Sequence, residues 1–221
     1  MNRSTINLHL GDSLEAMKEY PDNHWDLAIC DPPYGINYSS IVSEKTKKWG
    51  WKERVYSNWD NETPPKEYFT ELQRVSVNQI IWGGNYFADL LPASRCWIVW
   101  DKVQRINQAD CELAWTSFDG SARVFQYARG NESGFAPKLA PAQKMFANIH
   151  PCQKPQKLYE WLLTNYAKEG DKILDTHLGS CSIAIAAHNL CFDLDGWELD
   201  ADYHAAGVKR FEQHKKQLQL F

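Results

Sequence analysis

The sequence predicts an α/β protein: a doubly wound, mostly parallel sheet with helices on both faces. Two patterns carry this. Short, nearly continuous apolar runs alternate with helix-like runs, as buried parallel strands and their crossover helices require. Several apolar runs also end in an acid or a glycine-containing turn, where such sheets bind ligands. With 221 residues, the chain reads as one domain spanning 1–221.

The elements follow in order. "INLHL" (6–10) reads as a strand, and "SLEAMKEY" (13–20) as a helix with Asp12 as its N-cap. "WDLAIC" (25–30) is a buried strand, and "PKEYFTELQRV" (65–75) a helix opened by proline. "QIIWG" (79–83), "CWIVW" (96–100), "CELAWTSF" (111–118) and "RVFQY" (123–127) are strands. The run 111–127 is expected to be an antiparallel hairpin at one edge. "PQKLYEWLLTNYA" (155–167) is an amphipathic helix, "KILDT" (172–176) a strand, and "SIAIAAHNL" (182–190) a small-residue helix. "FDLDGWEL" (192–199) is a strand, and a polar helix ends the chain. Segments 36–62 and 128–153 fit no element, and loops of that length are usually functional.

Composition narrows the class. At 43% hydrophobic and 24% charged, the chain is neither disordered nor membrane-spanning. It lacks the apolar core of a signal peptide, so a cytoplasmic location is expected. Six cysteines form no C-x-x-C pair, and the seven histidines show no ligand spacing, so no metal is expected. The net charge is −4, yet residues 39–54 hold five basic and two acidic residues, and residues 123–157 six basic and one acidic. Two cationic islands on an acidic body suit an anionic polymer.

The chemistry concentrates at four strand ends. In "KILDTHLGSCS" a strand ends at Asp175 before a Gly/Ser turn and a helix; the next strand ends at Glu198, placed to accept ribose hydroxyls. The turn matches neither a P-loop nor G-x-G-x-x-G. Asp175 would repel a dinucleotide phosphate but welcome a cation. S-adenosylmethionine, with its amine and sulfonium, fits where NAD does not. Asp12 ends the first strand and could accept from the adenine amine of that nucleoside.

"LAICDPPYGINY" (27–38) ends a buried strand in Asp31-Pro32-Pro33-Tyr34. The prolines lie past the ladder and hold the chain extended. The Asp31 carboxylate and Pro32 carbonyl can then converge on one amino group, with Tyr34 as a stacking face. Methyl transfer to an exocyclic amine needs this, because two acceptors pull a delocalised lone pair toward tetrahedral geometry. The carboxylate also stabilises the developing positive charge. Stacking on Tyr34 would hold a base taken out of its helix.

These segments together resemble the S-adenosylmethionine-dependent DNA amino-methyltransferases of the permuted, beta-type order, and the small phage and prophage N6-adenine enzymes in particular. "DPPYG" resembles the catalytic motif, "LHLGDSLEAM" a cofactor motif, and "DTHLGSCS" the D-x-F-x-G-S-G-T donor motif; "HPCQKPQKLYEWLL" (150–163) resembles the H-x-x-x-K-P segment beside the donor's methionine end. The resemblance implies a Rossmann-like methyltransferase fold and donor contacts from Asp12, Asp31, His150, Lys154, Pro155, Asp175, His177, Gly179, Ser180, Cys181, Ser182, Glu198 and Leu199. Two positions depart from the pattern: His177 replaces phenylalanine, and Cys181 replaces the second glycine. A side chain at 181 could crowd the donor or strain the turn, so Cys181→Gly is expected to tighten donor binding.

Double-stranded DNA is the implied partner, with a separately encoded restriction nuclease compatible with the chain. Monomer and homodimer both remain open. The two unassigned segments supply the candidate DNA contacts: Lys47, Lys48, Trp49, Trp51, Lys52 and Arg54 in one, Arg129 and Lys138 in the other. Cytosine-N4 methylation, an RNA substrate and a catalytically weakened donor-binding or DNA-binding protein are the competing readings.

Overall fold

The computed structural model describes residues 4–36, 60–104, 109–128 and 153–218. In chain order these form β1 (Ile6–Leu10), α1 (Ser13–Lys18), β2 (Trp25–Cys30), α2 (Lys66–Val75), β3 (Ser76–Trp82), a 3-10 turn (Gly84–Tyr86), β4 (Trp97–Asp101), β5 (Cys111–Thr116) and β6 (Arg123–Gln126). There follow α3 (Gln156–Tyr166), β7 (Lys172–Asp175), α4 (Ser182–Leu190), β8 (Asp193–Glu198) and α5 (Ala201–Leu218).

The strands form one eight-stranded sheet in the order β1-β8-β7-β2-β3-β5-β4-β6. The first five in that order run parallel. β5 runs against both neighbours, β3 and β4. β6 pairs parallel with β4.

This corrects the hairpin expected over 111–127. The hairpin is β4 with β5, and β4 lies between β5 and β6. Burial gives the reason. Ile98 and Trp100 of β4 are fully buried and need cover on both sides. β6 buries none of its residues, and Val124 is 60% exposed, so β6 suits only an edge.

Alternating residues feed two cores, as expected of a sheet covered on both faces. Leu27 and Ile29 of β2 join Leu158 and Leu162 of α3 and Ile183 and Ala187 of α4. Ala28 and Cys30 join Met17 of α1 and Phe69, Leu72 and Val75 of α2. Asp12 caps α1, accepting from the Leu14 amide at 2.8 Å. Among the described residues no helix is long and apolar enough to cross a membrane.

Candidate active site

β2 and β7 are neighbours at the middle of the sheet. The chain leads from β2 to β3 on one side and from β7 to β8 on the other. Winding reverses here, which opens a crevice beyond the carboxyl ends of the strands. Asp31 and Asp175 stand at those two ends, so residues far apart in sequence meet.

Asp175 is 2% exposed. Burial pushes its carboxyl up to about 8, against a hydrogen bond from the His177 amide (2.9 Å); nearby Asp31 and Glu198 push it further, and Lys154 opposes them. Burial holds the His177 imidazole down to about 4, so it is neutral near pH 7. It packs edge-on to Tyr68 at 5.6 Å and contacts the Thr176 hydroxyl at 2.9 Å. A neutral ring packed this way can stand in for the phenylalanine that the resemblance leads one to expect.

The turn after β7 is tied at several points. The Gly179 amide donates to Glu198 Oε2 at 2.8 Å, and the Asp200 amide donates to Oε1 at 3.0 Å. Burial raises the Glu198 carboxyl above the usual carboxylate range. Arg210 of α5 donates to the Ser180 carbonyl (2.7 Å) and the Ser182 hydroxyl (2.9 Å). Gly179 has φ +48° and Cys181 φ +56°. Cys181 thus adopts the left-handed backbone that a glycine takes without strain. Its thiol is fully buried and packs against α5. Leu199, one residue beyond Glu198, is 72% exposed.

Around Asp31, both carboxylate oxygens are engaged. The Tyr34 hydroxyl donates to Oδ1 at 2.5 Å, and Lys154 forms an ion pair with Oδ2. Lys154, almost wholly buried, also reaches Glu112 at 3.2 Å and lies 5.2 Å from the centre of the Trp82 ring. Lys102 pairs with the other oxygen of Glu112 at 2.7 Å. Burial opposes the Glu112 charge, yet Lys154 and Lys102 together hold its carboxyl down at about 2.

The Tyr34 ring is seated by neighbouring backbone. A β-carbon on Gly83 would come within 2.2 Å of that ring, so only glycine fits there. Tyr86, 45% exposed, stacks on Tyr34 with ring centres 4.9 Å apart and planes 12° from parallel. Asp60 is 2% exposed and accepts from the amides of Tyr34 (2.7 Å) and Gly35 (3.0 Å), fixing the chain just past the prolines.

The structure therefore gathers Asp31, Tyr34, Lys154, Asp175, His177, Gly179 and Glu198 around one crevice. Pro155 is the N-cap of α3, directly after Lys154. Asp12 follows β1, which pairs with β8 so that Leu10 is level with Glu198. His150, Lys47, Lys48, Trp49, Trp51, Lys52, Arg54, Arg129 and Lys138 lie outside the described residues. Sequence reasoning missed Asp60, Tyr86, Lys102, Glu112 and Arg210. "WGGNYF" held a readable hint, since paired glycines beside aromatics signal close packing; the others are charged residues with no local signature.

Residues 96–209 match the family model of the N6/N4 DNA methylases, and the chain belongs to that family. It is 23% identical over 252 residues to the DNA adenine methyltransferase YhdJ of Escherichia coli K12, covering 91% of this chain and 81% of that one. It is 21% identical over 248 residues to the type II methyltransferase M2.DpnII of Streptococcus pneumoniae, covering 96% and 91%. Among solved structures, the DNA modification methylase TTHA0409 of Thermus thermophilus, in complex with S-adenosyl-L-methionine, superposes with a TM-score of 0.60 at 18% identity, covering 95% and 94%. The PvuII cytosine-N4-specific DNA methyltransferase superposes with a TM-score of 0.63 at 14% identity, covering 97% and 92%. The α/β methyltransferase fold is thus shared with both solved structures, one of them cytosine-N4-specific.

Proposed function

We propose that this chain transfers a methyl group from S-adenosylmethionine to the N6 amine of an adenine flipped out of double-stranded DNA. The observation that carries it is the pairing of two acids at the reversal point: Asp31 with Tyr34 beside it, and buried Asp175 next door. Adenine is favoured over cytosine by YhdJ, a relative named for adenine, and an aspartate before the prolines resembles the adenine-N6 enzymes.

The residues on the β7 side suit the donor. Asp175 is a carboxyl whose charge is disfavoured until a cation arrives, which matches an ammonium or sulfonium. Glu198 would accept the ribose hydroxyls and Asp12 the purine amine. Bound S-adenosylmethionine supplies an electrophilic methyl group. Across the crevice, Asp31 and the Pro32 carbonyl accept the two amine hydrogens, directing the nitrogen lone pair outward. As the N–C bond forms and the C–S bond breaks, the Asp31 carboxylate offsets the charge growing on the amine. The proton then leaves the methylated amine for Asp31 or water.

Segments 36–62 and 128–153 are proposed to hold the DNA within a single domain. The type II name of M2.DpnII fits a role beside a restriction nuclease. The test is methylation of unmethylated genomic DNA, digested to nucleosides and weighed. N6-methyldeoxyadenosine that disappears in Asp31→Ala carries the proposal. N4-methyldeoxycytidine would move the chain to the other base class, and product unaffected by Asp31→Ala would overturn the assignment of Asp31.

A further inference from the structure

In this structure the acceptor side of Asp31 is occupied by the protein's own cation. Lys154 Nζ, a nitrogen carrying hydrogens, sits on Oδ2 and the Tyr34 hydroxyl on Oδ1, so a target amine on the cation's side of Asp31 takes the place of Lys154. Left there, it would block the acceptor and disfavour the positive charge that methyl transfer creates. It must yield Asp31 yet remain neutralised, because a buried ion moved away from every counter-charge is strongly destabilising.

The fold supplies the second counter-charge. β5 is the reversed strand, so its first residues reach the same edge as the carboxyl ends of β2 and β4. Glu112, second in β5, pairs in register with Trp100 of β4, and Lys102 follows the end of that strand. The result is a chain of alternating charge, Asp31–Lys154–Glu112–Lys102, its lysines buried and its carboxylates partly exposed, with contacts of 3.2 Å and 2.7 Å beyond the first pair.

Resting on the reading of Asp31 as the amine acceptor, we infer that Glu112 is a positioning residue for methyl transfer. It orients Lys154, keeps the Asp31 carboxylate aimed while no base is bound, and takes over Lys154 when the amine displaces it. Lys102 holds Glu112 in place by neutralising its other oxygen. Among the described residues Glu112 contacts neither the β7 turn nor Glu198 and reaches the donor side only through Lys154, so its effect falls mainly on turnover.

Three variants of the full chain test this: Glu112→Gln, the charge-balanced Lys102→Gln/Glu112→Gln, and Glu112→Asp. The double variant removes a whole ion pair, so it guards against the folding cost of leaving one buried charge alone. The expected result is a loss of kcat of about tenfold to a hundredfold in the first two, the scale of a small misplacement at a reacting centre. Donor Kd should stay within about twofold, and Glu112→Asp should recover much of the lost kcat. Wild-type kcat in the double variant would overturn the inference, as would donor affinity falling in parallel with kcat, which marks a structural residue. Asp31→Ala, run alongside, separates the two failures. If it keeps turnover, the reading of Asp31 fails; if it loses turnover while the Glu112 variants keep theirs, only this inference fails.

Discussion

The Cys181 thiol lies against Gly207 of α5: a β-carbon at position 207 would stand 2.5 Å from Sγ and 3.0 Å from the Gly179 carbonyl oxygen. The residue that departs from the donor motif is therefore accommodated by a missing side chain on another helix. Gly207→Ala should lower stability by about 1–3 kcal/mol through overpacking. This outweighs the gain of up to about 1 kcal/mol from replacing a helical glycine. It should also weaken donor binding, because Gly179 is pressed as well. Cys181→Gly in the same chain should recover the stability lost to the thiol contact but not the donor affinity lost through Gly179, read by thermal melting and donor titration. On its own, Cys181→Gly exchanges relief of a left-handed backbone for loss of a buried thiol. Any tightening of donor binding would then come from the backbone, since the thiol packs against α5.

Much of the candidate site was legible because it is local. Asp31 to Tyr34 stand out as an apolar strand stopped by two prolines, and Asp175 and Glu198 each end a strand. What stayed hidden depends on pairing across long distances. Glu112 is one acid in a strand, and only the reversal of β5 brings it to the edge where β2 ends. Asp60 sits far along the chain from the amides that it accepts. The hairpin was misassigned for the same reason: the strand that separates β5 from β6 precedes both in sequence.

Asp175 should make donor binding depend on pH. Its carboxyl titrates at about 8 in the folded chain, against an ordinary value of 3.8. Between those values the folded state holds a proton that the unfolded state lacks, so this group's contribution to stability falls as pH rises. A cationic donor needs the ionised form, so affinity should rise with pH by up to about tenfold per unit below pH 8. Asp31, Glu198 and Lys154 also act on Asp175, and His177 stays neutral throughout this window. Calorimetric titration of S-adenosylmethionine near pH 6, 7 and 8 reads the slope. Asp175→Asn should flatten the stability decline and lose most donor affinity. A wild-type affinity independent of pH would contradict the assignment.

Asp60 should matter to turnover through Tyr34. Replacing it with alanine removes the acceptor of two part-buried amides, at about 0.5–1.5 kcal/mol per hydrogen bond. The chain past the prolines then loosens, and the Tyr34 ring with it. Asp60→Ala should lower both the melting temperature and kcat, while Asp60→Asn, which keeps one acceptor oxygen, should lose less of each. Equal losses in the two variants would show that charge rather than hydrogen bonding is what Asp60 contributes.

Tyr86 decides how a base reaches Tyr34. The ring of Tyr34 lies close against the Gly83 backbone and stacks on Tyr86, which is half exposed. A flipped adenine that stacks on Tyr34 must enter between the rings or push Tyr86 aside. Entry between them would add a second stacking contact, and base–aromatic stacking is worth about 1–3 kcal/mol per base. Tyr86→Ala should then raise the KM for DNA about tenfold while donor affinity holds, and Tyr86→Phe should behave like wild type because the ring is what matters. The measurement is steady-state methyl transfer on an oligonucleotide carrying the site found in the genomic assay. A lower KM in Tyr86→Ala would reverse the assignment: Tyr86 would be a cover over the stacking face, and its removal would spare the incoming base the work of displacing it.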